Sequence, residues 1–193
     1  MIHEVLEEAR ELGFLGPGPV SFHVEHARAY LAPLADVTGA ALDLGAGGGV
    51  PGLILAAERP DLAWTFLDGM PTRTAFLERA VASLGLANVT VRTARAEEVP
   101  DLRGRFAAVV ARSFAAPPVT AECAAPLLEV GGRLIVSEPP DRTEDRWTGA
   151  HVLGLGPATI LVGPPTLAVL VQEAPCPDRY PRRTGVPAKR PLW

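Results

Sequence analysis

The chain has 193 residues, 48% of them hydrophobic and 21% charged, with a formal net charge of −4. That is enough chain and enough apolar side chain to bury a core, which excludes a disordered polymer. No apolar run approaches the ~20 residues of a membrane span, and the acidic opening Met1-Ile2-His3-Glu4 is unlike an export signal, so the expected location is the cytoplasm. The two cysteines and four histidines show no metal-ligand spacing, and no metal is expected.

Apolar residues at 2, 5, 6, 9 and 12 predict a first helix over Ile2–Leu12. Gly13 to Pro19 breaks it, and Ser21 is placed to cap a second helix running to about Ala35, with His26 and Arg28 on it. Ala40 to Leu44 is a short apolar run interrupted only by Asp43. It stops at glycines 45, 47, 48, 49 and 52, with Pro51 among them. This reads as a buried strand, a tight turn and a helix from Gly52 onward. Glycines let the backbone approach a ligand, and the helix N-terminus offers it amide N–H groups. Gly47 to Gly52 fits the dinucleotide pattern G-x-G-x-x-G. Asp43, two residues before the first glycine, instead resembles the entry to the S-adenosylmethionine loop of class I methyltransferases; dinucleotide folds carry an apolar residue there.

Leu62 to Leu67 is the second strand. It ends at Asp68, about 20 residues past the glycine turn, where both cofactor classes place a carboxylate on ribose hydroxyls. A helix over Thr72–Leu84 follows, then a strand over Asn88–Thr93 leading into Arg95-Ala96-Glu97-Glu98. A strand over Phe106–Ala111 ends in Arg112, a helix covers Pro118–Leu128, and a fifth strand covers Arg133–Val136. This alternation predicts an α/β, Rossmann-like fold: a mostly parallel sheet with helices on both faces. Asp43, Asp68, Glu97 and Arg112 all fall at the carboxyl ends of strands, where such sheets bind ligands. Arg112 reads either as a reaction-centre group or as a structural ion pair with Asp43 or Glu97. Past the polar stretch from Glu138 to Arg146, two apolar runs, His151–Leu155 and Thr166–Gln172, complete the sheet, the last one antiparallel.

Residues 176–193 are basic, with Arg179, Arg182, Arg183, Lys189 and Arg190. They read as a disordered tail or as an arm in contact with phosphates. Tyr180 and Trp193 either stack on a base or pack on the protein. The whole is expected to form one domain: N-terminal helices over 1–38, a core over 39–175 and the tail.

The stretches LDLGAGGGVPGL, FLDGMPTRTAFLE, NVTVRTARAEEV, VVARSFAAP, LLEVGGRL and YPRRTGVPAKRPL occur in that order. They resemble the GidB/RsmG family, which methylates N7 of a guanine in small-subunit ribosomal RNA. The resemblance runs from about Gly13 to the end. It implies a class I S-adenosylmethionine-dependent methyltransferase, with the small ribosomal subunit as partner. It puts Gly45 and Val50 at the cofactor loop, to which the strand and glycine pattern itself adds Asp43, Gly47 and Gly49, and it puts Asp68 on the ribose. Ala96 and Glu97 would flank the adenine, and Arg112 would lie beside the methionine end and the reaction centre. His26 would match a histidine ahead of the loop; from the charge of the tail, Arg182, Arg183 and Lys189 are expected to contact RNA phosphates. Two departures stand out. Glu138-Pro139 occupies the place of the family's Lys-Gly, reversing a charge near the expected RNA path. The family's W-N-x-x-x-N-L-T-like stretch is missing. They motivate alternatives: methylation of a small molecule, or cofactor binding without catalysis. Guanine N7 has a free lone pair, so transfer there needs alignment more than proton removal. That suits a chain with no Ser-His-Asp pattern.

Overall fold

The computed structural model describes residues 1–139 and 144–193; positions 140–143 of the polar stretch lie outside the described residues. The chain runs α1 (Ile2–Glu11), α2 (Val20–Arg28), α3 (Leu31–Leu34), β1 (Ala40–Leu44), α4 (Gly52–Glu58), β2 (Ala63–Asp68), α5 (Pro71–Leu84) and β3 (Val89–Thr93). It continues through β4 (Phe106–Ala111), α6 (Pro117–Ala124), β5 (Leu128–Glu138), β6 (Thr159–Leu161), β7 (Thr166–Val171) and α7 (Val186–Lys189). The seven strands form one sheet in the order β3-β2-β1-β4-β5-β7-β6. β1 to β5 are parallel, while β7 pairs antiparallel with β5 and β6 antiparallel with β7. Strand order reverses between β1 and β4, which opens a crevice at their carboxyl ends.

Alternating side chains along each strand feed two cores. On β1, Ala41 joins Leu6, Tyr30, Leu53, Phe66 and Phe76 on one face. Its neighbours Leu42 and Leu44 join Val109, Leu134, Trp147 and Leu153 on the other. The helix expected from Ser21 to Ala35 is two helices, with Pro19 at the N-cap. Pro33 lacks an amide hydrogen and its ring clashes with the carbonyl four residues back, so one continuous helix cannot pass.

The run His151–Leu155 is not a strand. It closes a 3-10 helix over Glu144–Leu153, and Leu155 makes only an isolated bridge to Gln172. Trp147, Ala150 and Leu153, three residues apart, are the buried positions of that segment. Their helical spacing outweighs the local apolar run, and β6 takes the place beside β7 instead.

Candidate functional site

Two carboxylates at the strand ends grip the glycine turn. Asp43, 1% exposed, accepts the Gly52 N–H on Oδ2 at 2.8 Å. A Cβ at Gly52 would sit 2.5 Å from that oxygen, so only glycine allows the approach. Asp68 accepts the Gly47 N–H on Oδ2 at 3.0 Å and the Met70 N–H on Oδ1 at 2.8 Å. Two amides that the sequence suggested would face a ligand are therefore held by the protein's own carboxylates.

Burial pushes the Asp43 carboxyl up to about 7, with the charge of Asp68 adding to the shift and the Gly52 bond opposing it. Between about pH 4 and 7 the folded chain thus keeps a proton that the unfolded chain has released. The contribution of this group is full below its unfolded value and is lost as pH rises through 7. Asparagine at 43 still offers an oxygen to Gly52 but cannot titrate. Thermal melts across this range should show the wild type losing stability with rising pH relative to Asp43→Asn; parallel curves would refute the assignment.

Gly45, Asp68, Ala96 and Glu97 line one cleft of about 260 Å³, together with Met70 and Phe114. Gly45 has φ +72°, and a Cβ there would lie 2.6 Å from the Phe114 ring. Gly47, Gly49 and Val50 do not line the cleft. Gly47 is tied to Asp68, and Gly49 packs against Leu53. Arg73 approaches Asp68 to 3.8 Å at the cleft wall.

Arg112 lines a neighbouring cavity of about 390 Å³ with Phe22, His26 and Glu138, and Ser113 belongs to both spaces. Ser113 is the one non-glycine residue with positive φ among the described residues, at 53°. It separates Arg112 in one space from Phe114 in the other. Arg112 forms no ion pair with Asp43 or Glu97. Its Nη2 donates to His23 Nδ1 at 2.7 Å, so the other ring nitrogen of His23 carries the hydrogen and donates to the Gly16 carbonyl at 3.2 Å. Nη1 of Arg112 and Nδ1 of His26 are buried without a partner. Burial, then the Arg112 charge, lowers the pKa of His23. The same causes, in the same order, bring His26 down to about 4. Both rings are neutral at pH 7.

A family model described as GidB, rRNA small subunit methyltransferase G, matches residues 25–143. The chain belongs to this family. A relative named ribosomal RNA small subunit methyltransferase G from Deinococcus radiodurans is 42% identical, covering 79% of this chain and 65% of its own length. The chain therefore spans just under two thirds of that relative. One of the same name from Roseiflexus sp. (strain RS-1) is 37% identical, covering 81% of this chain and 72% of its own. Among solved structures, a putative S-adenosylmethionine-dependent methyltransferase from Methanococcus maripaludis aligns with TM-score 0.61 at 13% identity, covering 80% of this chain and 86% of that one. A mutant of MtNAS in complex with S-adenosylmethionine aligns with TM-score 0.62 at 15% identity, covering 91% and 73%. At these identities the structures show the fold.

Two features of this GidB-family chain differ from expectation. Glu138 does not project a charge outward. It is 8% exposed, accepts the Trp147 indole N–H at 2.9 Å and pairs with Arg146. The C-terminal segment is not loose. Arg182, expected among the phosphate contacts, is committed to Glu122, which is fully buried and takes hydrogen bonds from its backbone N–H, Nε and Nη2 at 2.9, 2.8 and 2.6 Å. The Gly185 N–H donates to Glu97 at 3.0 Å and the Thr184 hydroxyl to Glu98 at 2.7 Å, which docks the tail beside the cleft. Tyr180 is buried, and the Trp193 indole donates to the Arg146 carbonyl at 3.0 Å. Both aromatics pack on the protein. Arg183 and Lys189 are exposed and form no ion pair among the described residues.

Sequence reasoning missed His23, Ser113 and Glu122. Glu122 had a signal, a single carboxylate inside the apolar run from Ala115 to Leu128. His23 and His26, one turn apart on a helix, had a weaker one. Among the described residues no cluster of His, Cys, Asp or Glu could hold a metal ion, and no helix is long and apolar enough to cross a membrane.

Proposed function

We propose that this chain transfers the methyl group of S-adenosylmethionine to N7 of a guanine in small-subunit ribosomal RNA, acting in the cytoplasm on the ribosomal subunit. The observation that carries this reading is the pair of spaces meeting at Ser113: a cleft at the ends of β1 to β3 with a carboxylate in it, and a second cavity alongside. The cleft residues fit the cofactor. Asp68 keeps acceptor positions beyond its two amide bonds, enough for ribose hydroxyls, and Gly45 brings bare backbone to the cleft wall where a Cβ would run into the Phe114 ring. Ala96 and Glu97 would border the adenine. When bound, the cofactor supplies an electrophilic sulfonium methyl. The chain's own work is alignment: the glycine turn is fixed by Asp43 and Asp68, and the acceptor nitrogen needs no base. Arg183 and Lys189 are the phosphate contacts of this reading. Glu138 lines the second cavity, but its charge there is balanced by Arg146 and the Trp147 indole, and no observation favours a small-molecule substrate over RNA.

Methyl transfer from labelled cofactor to purified small ribosomal subunits, with free nucleosides and a metabolite extract as controls, tests the proposal directly. Calorimetry tests the cofactor. Removing charge-assisted hydrogen bonds costs roughly 1.5–3 kcal/mol, so Asp68→Ala should weaken S-adenosylmethionine binding about tenfold to a hundredfold. Tight NAD binding with no S-adenosylmethionine binding would overturn the assignment.

A further inference from the structure

The C-terminal segment is built onto the wall of the cofactor cleft. Residues 182–185 meet three carboxylates in turn: Arg182 takes Glu122, the Thr184 hydroxyl donates to Glu98, and the Gly185 N–H donates to Glu97 Oε1 at 3.0 Å. Glu97 lines the cleft. Among the described residues, that amide is the only hydrogen-bond donor on its carboxylate. Oε2 lies 3.6 Å from Arg95 Nε, beyond hydrogen-bond reach, and is not closed off from the surface. Gly185 has φ +77°, and no atom lies within 4 Å of where its Cβ would stand. The position is glycine for its backbone conformation, not for room.

We propose that the C-terminal segment is a working part of the cofactor site: Gly185 holds Glu97 so that Oε2 accepts a hydrogen from the 6-amino group of the adenine. The inference rests on the cofactor reading above and not on the RNA. Adenine carries a donor at that position, and an ionised carboxylate only accepts, so the two are complementary. A 6-oxo purine has an oxygen there and sets acceptor against acceptor. A glutamate side chain loses rotamer freedom when it is fixed in one orientation. The Gly185 bond removes that freedom before the cofactor arrives, which favours binding by preorganisation. Gly185 does not touch the cofactor in this scheme. It is a positioning residue, and Arg182 on Glu122 with Thr184 on Glu98 keeps its N–H in place. Selection of adenine then depends on a residue 88 positions from the one that reads it.

The test compares, by calorimetry on the full chain, the binding of S-adenosylhomocysteine with that of S-inosylhomocysteine, its 6-oxo analogue. The wild type should favour the adenine compound by about tenfold or more, the weight of one hydrogen bond to a charged group. With open space around a Cβ at Gly185, substitutions there act through backbone conformation. A β-branched residue is strained at positive φ, while asparagine tolerates it. Gly185→Val should therefore weaken S-adenosylhomocysteine about tenfold, leave S-inosylhomocysteine little changed and bring the ratio near one. Gly185→Asn should restore most of the ratio, with melting temperatures confirming folded variants. Glu97→Gln gives an independent reading. An amide has one oxygen; with Gly185 holding it, the amino end faces the purine, and the preference should invert toward S-inosylhomocysteine. A glutamine free of that tether turns its oxygen to the adenine, so a Glu97→Gln protein that keeps the wild-type preference would overturn the proposal. A folded Gly185→Val protein with the wild-type ratio would overturn it too, as would a wild type that binds both compounds equally. A wild type that binds neither would overturn the cofactor reading, and this inference with it.

Discussion

Arg182→Ala should cost about 3–5 kcal/mol of stability, a fall of about 6–20 °C in melting temperature for a chain of this size. The reason lies in its partner. Glu122 is fully buried on α6, and three of its hydrogen bonds come from Arg182, two of them from the guanidinium. Truncating the arginine removes those two and strands a charge inside the protein, which is where breaking an ion pair costs most. The same guanidinium also holds the Arg190 carbonyl at 2.7 Å, so the turn that carries α7 loses its anchor. Arg183→Ala and Lys189→Ala should behave differently. Both side chains are exposed, and such substitutions usually stay within about 0.5 kcal/mol. If they contact phosphates, their loss weakens RNA binding and flattens its salt dependence by about 0.7–0.9 in slope per contact. Thermal denaturation of the three variants, with RNA binding at several salt concentrations, separates anchor from contact. An Arg182→Ala protein that melts with the wild type would refute the anchoring role.

The contrast between Arg182 and its neighbours shows where sequence reading stops. Strand-helix alternation, the glycine turn after Asp43 and the carboxylate at Asp68 are local patterns, and local patterns carry to the structure. β4 matches its expected span, and the antiparallel last strand was visible in the final apolar run. The pairing of Arg182 with Glu122 spans 60 positions, and that of Arg112 with His23 spans 89. No periodicity reports such contacts, because they depend on which faces the sheet brings together. The basic tail looked like a solvated arm since its charge was legible and its partners were not. His151–Leu155 failed for a related reason: an apolar run of five fits either a strand or a helix, and only the buried spacing of Trp147, Ala150 and Leu153 decides.

Glu138 illustrates the same limit, and its charge reversal should be equally damaging. By sequence alone, a lysine at 138 restores a basic path for RNA. In the structure the carboxylate ends β5 with a side chain 3% exposed. It accepts the Trp147 indole on Oε1 at 2.9 Å and pairs with Arg146 through Oε2. Glu138→Lys would leave a buried indole N–H without an acceptor, set two cations against each other and bury a new ammonium. Breaking a buried pair from one side typically costs about 3–5 kcal/mol, and the unpaired indole adds about 1–3 kcal/mol. The damage should spread to the second cavity, because Glu138, Arg146 and Trp147 all line it. It should also reach the C-terminus, where the Arg146 carbonyl holds Trp193. Glu138→Gln keeps an oxygen for Trp147 and loses only the charge, so it should be the milder change. Melting temperatures of the two variants, read alongside RNA affinity, decide the matter. A Glu138→Lys protein of unchanged stability that binds RNA more tightly would mean that the side chain faces the RNA after all.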